Sequence, residues 1–69
     1  MPADEPRSDA QIIADAYEER VRELFKVFAE TLYTGEPERD AVARFKRALL
    51  SVRRVRALAL EAAKEADTP

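Results

Sequence analysis

Between Ala41 and Leu60 the chain carries Arg44, Lys46, Arg47, Arg53, Arg54 and Arg56 and no acid. On a helix, Lys46 and Arg53 stand one heptad apart along an edge of the apolar stripe, and Arg47 and Arg54 form a parallel row farther out. Rows of cations can track phosphates, and arginine adds a bidentate fork. Lys46, Arg47, Arg53 and Arg54 are therefore candidate contacts for a nucleic acid or another partner. The ordinary explanation of such a row is charge matching inside a helix pair, because charged flanks are the usual dressing of a bundle. Arg47 and Arg54 fit that explanation less well, since they point away from the seam.

Other chemistry is sparse. Asp15, Glu18, Glu19 and Glu23 include pairs three or four apart, a spacing that can hold a metal or supply an acid and a base. Di-metal sites in bundles add a Glu-x-x-His pair, and this chain has no histidine. Glu18 with Arg22 also makes an ordinary i, i+4 pair, so a solvated charged face is the expectation. Ser8 and Ser51 have no histidine to activate them, no Gly-rich loop could cradle a phosphate, and there is no cysteine. No catalytic residue, cofactor site or metal site is assigned, and the chain is not expected to be an enzyme.

These side chains are positioned by helices. Ser8-Asp9-Ala10-Gln11 matches the capping box that starts one. Apolar residues then recur in alternating steps of three and four through Ala10, Ile13, Ala14, Tyr17, Val21, Leu24, Phe25, Phe28 and Leu32, which predicts a helix over about 9–33, some 37 Å long. Ile12, Ala16 and Val27 widen the stripe to one side. Tyr33-Thr34-Gly35-Glu36-Pro37 holds the sole glycine, suited to a helix C-terminus, and a proline suited to the first turn of the next helix. The turn is placed at 34–36 and a second helix at about 37–65. Its stripe runs through Ala41, Val42, Phe45, Ala48, Leu49, Val52, Ala59, Leu60 and Ala63, while Leu50, Ala57 and Leu58 lie outside it.

A connection this short makes the helices antiparallel neighbours, with residue numbers summing to about 70 across the seam. That register sets Arg53 beside Tyr17 and Glu18, and Lys46 beside Glu23 and Leu24. Arg56 stands where the stripe asks for an apolar residue, opposite Ala14. A charge buried there without a partner costs several kcal/mol, so Arg56 is expected to snorkel to Asp15 or to a carboxylate of a second chain. The alternative role is a register or specificity residue for pairing.

At 69 residues the chain is one domain with a marginal core, and lacking cysteine and histidine it has neither disulfides nor the common zinc sites as staples. A partner chain is the remaining staple. The fold expected is all-α: a two-helix antiparallel hairpin pairing into a homodimeric four-helix bundle. Its interface would use Ile13, Tyr17, Val21, Leu24, Phe28, Phe45, Leu49, Val52 and Leu60. Residues 1–7 are expected to form a disordered tail and 67–69 a frayed end. In general plan the chain resembles the small bundle-forming helical hairpins that include RNA-binding regulators of plasmid copy number; the resemblance is of architecture and matches no functional residue.

No apolar run approaches the roughly 20 residues that cross a bilayer, and Met1-Pro2-Ala3-Asp4-Glu5 lacks the pattern of a secretion signal. The expectation is a cytoplasmic, non-enzymatic interaction or regulatory protein whose partner is itself, another protein or, as the alternative, a nucleic acid. Residues 1–40 carry eleven acids and five bases, whereas 41–69 carry three acids and seven bases. The acidic first half and basic second half attract each other or attract something else.

Overall fold

The computed structural model describes residues 7–67, and they form two helices, α1 (Asp9–Tyr33) and α2 (Glu38–Ala66), packed against each other. Of the tail expected at 1–7 and the frayed end expected at 67–69, residues 1–6 and 68–69 lie outside the described residues. Arg7, placed in that tail by the sequence, forms an ion pair with Asp15.

The start of α1 is the capping box. The Ser8 hydroxyl accepts from the Gln11 N–H at 3.1 Å, and the Gln11 side-chain oxygen accepts from the Ser8 N–H at 3.0 Å. Two amides that the first turn would otherwise leave unpaired are satisfied. The end of α1 is a Schellman arrangement: the Glu36 N–H donates to the Thr31 carbonyl at 3.3 Å and the Gly35 N–H to the Leu32 carbonyl at 3.1 Å. Gly35 adopts φ +93, a left-handed conformation that side chains with a Cβ rarely take.

Pro37 acts as the N-cap of α2, at φ −56 and ψ 133, so the helix begins one residue later than the sequence suggested. Its carbonyl accepts the first helical bond, from the Ala41 N–H at 3.1 Å. Glu38 and Asp40 place negative charge at the positive end of the helix dipole, and Lys64 places positive charge at the other end. Glu36 reaches across the turn to an ion pair with Arg44, which ties the connection to the second turn of α2.

Phe28 stacks on Phe45 with ring centroids 4.7 Å apart, and Arg56 lies over Tyr17. Both pairs sum to 73, three residues beyond the register expected from the sequence. The Phe28–Phe45 stack and the Arg56–Tyr17 contact mark the register observed. Ile13, Tyr17, Val21, Leu24, Phe28, Phe45, Leu49, Val52 and Leu60 are all half-buried, as the stripes imply. Among the described residues Ala41, at 2 % exposure, is the only one fully buried. The Cα atoms span only 8 Å in the thinnest direction, a single layer of helix.

The cost of a side chain at Gly35 is conformational alone, since a Cβ there would meet nothing within 4 Å. Gly35→Ala is expected to destabilise the fold by about 1 kcal/mol, read as a lower urea midpoint with an unchanged helical signal.

Candidate functional site

Helical phase divides the hairpin into two broad sides flanking the seam. At 100° per residue, Ile12, Ala16 and Val27 of α1 share a side with Ala48, Ser51, Val55 and Leu58 of α2. This is the Val27 side. Ala14, Val21, Phe25 and Leu32 share the other with Val42, Leu49 and Leu60, the Phe25 side. Both sides expose large apolar groups, including Val27 and Val55 on one and Phe25 and Val42 on the other.

The sides differ in shape and polarity. On the Val27 side two grooves run between the helices, one bordered by Ile13, Ala16, Val55 and Ala59 and one by Val27, Thr31, Ala41 and Ala48. Arg20 lines both and is paired with Glu23 at 2.9 Å. On the Phe25 side a hollow is walled by α1 alone, from Ala14, Tyr17, Val21 and Phe25, with Glu18, Arg22 and Lys26 at its rim. Helix α2 does not reach over it.

The bases of α2 do not find the acids that the sequence register assigned to them. Glu18 pairs with Arg22 at 2.5 Å and Glu23 with Arg20, both within α1. With positions summing to 73, Arg53 stands level with Arg20 and Lys46 with Val27. No ion pair joins Lys46, Arg47, Arg53 or Arg54 to any described residue. These four occupy positions −4, −3, +3 and +4 from Leu50, so they are its nearest neighbours on the helix surface. Leu50 itself is 55 % exposed. The outer face of α2 is thus an apolar centre with four basic corners, a juxtaposition visible in the sequence once Leu50 is taken as the origin.

Arg56 corrects a second expectation. Its guanidinium carbon sits 4.2 Å from the centre of the Tyr17 ring, not against Asp15, whose carboxylate is held by Arg7. The ring face supplies the attraction that a carboxylate would otherwise provide, and the arginine stem covers apolar surface. Arg44 is the base with a perturbed titration: its hydrogen bond to Glu36, and then the Glu36 charge, raise its pKa above the ordinary value. It stays charged and serves the turn.

Among the described residues no group of three or more acidic, histidine or cysteine side chains could hold a metal ion. No helix of the described residues is long and apolar enough to cross a membrane. Comparisons with protein-family models, with curated proteins and with solved structures find no match to this chain.

The ring and the guanidinium can be separated energetically. In a double-mutant cycle with Tyr17→Leu and Arg56→Met, the coupling is expected to be about 0.5–1 kcal/mol in favour of the native pair, measured by denaturant unfolding. Additive effects would show that the contact contributes nothing.

Proposed function

We propose that this chain is a non-catalytic interaction or regulatory module of the cytoplasm that works as a homodimer, two hairpins closing into a four-helix bundle. One observation carries the reading: among the described residues a single layer of two helices leaves every large apolar side chain at least partly wet. Among the described residues Ile12, Phe25, Val27, Val42, Val55 and Leu58 are each at least half exposed, and a second hairpin would cover such surface. Apolar area removed from water in this way contributes about 25 cal/mol per Å², the largest stabilising term open to a chain without disulfides or metal.

A second reading is supported by the four bases around Leu50. With no acid of their own hairpin engaged, they are available to phosphates, and a bundle of two chains would carry two such patches. In this alternative the dimer binds nucleic acid, and affinity falls steeply with salt as counterions are released.

Light scattering at micromolar concentration is expected to give twice the 7.8 kDa of one chain. A folded, helical monomer would remove the dimer reading. For the alternative, fluorescence anisotropy with short RNA and DNA at low salt is expected to show binding that Arg47→Glu with Arg54→Glu weakens by at least about tenfold while helicity stays intact. Absence of binding to the unaltered chain at low salt would remove it.

A further inference from the structure

The outer face of α2 is set apart from both sides of the hairpin. Leu50 lies nine positions from Ala41 and nine from Ala59, half a revolution round the helix from the seam where Ala41 is fully buried. A second hairpin laid on either side would leave this face outward. Within about 60° of Leu50 stand Lys46, Arg47, Arg53 and Arg54, spread over about 12 Å of helix axis, and Ala43 and Ala57 lie closer still to its line. All seven residues are exposed. No ion pair joins any of the four bases to a described residue.

The chemistry of the patch narrows its occupant to an array of anions with an apolar layer behind it. Four cations call for anionic groups, whereas Leu50, 55 % exposed at their centre, calls for an apolar environment. A nucleic acid answers the first demand alone, because Leu50 would be pressed against phosphates and sugars. The face also lacks side chains that pair with adenine edges or stack on bases. The chain has no Asn, its one Gln caps α1, and Phe45, the sole aromatic residue of α2, is stacked on Phe28 in the seam. Side chains of a protein partner would find nothing to enter: the patch is one convex helix face, and none of its seven residues borders the grooves or the hollow described above.

We propose that this face docks on a membrane surface rich in anionic phospholipids. Leu50 enters the outer edge of the acyl region, while the apolar stems of the four bases lie along it and their charged heads stay among the phosphates. Attachment of this kind needs no spanning segment, and no helix of the described residues is long and apolar enough to cross a bilayer. The attraction is electrostatic and weakens as salt rises. One leucine is a small anchor, so docking is reversible and depends on both parts of the patch, the charge and the leucine. The proposal takes the same four bases as the nucleic-acid reading and does not depend on the dimer reading.

Co-sedimentation of the full chain with lipid vesicles tests this. Binding is expected to vesicles of mixed phosphatidylserine and phosphatidylcholine, to be lost on phosphatidylcholine alone, and to fall with added salt. Arg47→Gln with Arg54→Gln is expected to weaken it at least about tenfold, and Leu50→Ser at least about threefold, each with the helical signal intact. No binding of the unaltered chain to the anionic vesicles at low salt overturns the proposal, whether or not a variant folds. Binding that Leu50→Ser leaves unchanged also overturns it, since bases alone would serve any polyanion. Short RNA and DNA run beside the vesicles separate the two uses of the patch: nucleic acid bound where vesicles are not overturns the lipid assignment and leaves the nucleic-acid reading standing.

Discussion

A pair of helices removes from water only the strip along which the two cylinders touch, and the apolar surface of this chain is wider than that strip. The width follows from composition: Ile12 and Val27 extend α1 to one side of its stripe, Phe25 extends it to the other, and Val55 and Leu58 extend α2. A single layer can half-bury the seam but cannot enclose it, which is why Ala41, small and next to the turn, alone among the described residues is fully buried. Every feature beyond the hairpin itself answers to this constraint. The aromatic stack sets the register, the register sets which charges stand level, and those charges decide what surface is left over.

Much of the hairpin was legible in the sequence because its signals are local. Ser8 with Gln11, Gly35 and the three-and-four spacing of the stripes each act within a turn or two of helix, so they can be read without knowing what packs where. Register is a tertiary quantity and was misjudged by three residues. Pro37 suits the first helical position as well as the cap, and the two choices move α2 along α1. The preference for stacking Phe28 on Phe45 is not visible in spacing, since several phases keep both rings in the seam.

The error in register had a chemical consequence. A register summing to 70 sets Arg53 and Lys46 opposite Glu18 and Glu23, but neighbours on one helix compete for the same carboxylates and are already in place when it forms. Arg22 and Arg20 therefore hold them. Such exposed pairs contribute only a few tenths of a kcal/mol each. Their effect on the surface is larger than their effect on stability, because they leave Lys46, Arg47, Arg53 and Arg54 without an ion pair to any described residue. Arg56 differs in kind: a π face has no place in a count of opposite charges, so Tyr17 was read as core and its second role was missed.

The turn has a further consequence, for the order in which the chain assembles. All contact between α1 and α2 crosses one tight, hydrogen-bonded loop, and the entropic cost of closing a loop rises with its length. Phe28 and Phe45 are the nearest large pair to Gly35 and therefore the least costly to bring together. Tyr17 and Arg56 follow at greater separation, and Ala10 with Ala63 last. Loop entropy alone therefore favours closure from the glycine outward, as in a zipper. On that ground the end remote from the turn, where the capping box and Lys64 lie, is expected to order latest and open first.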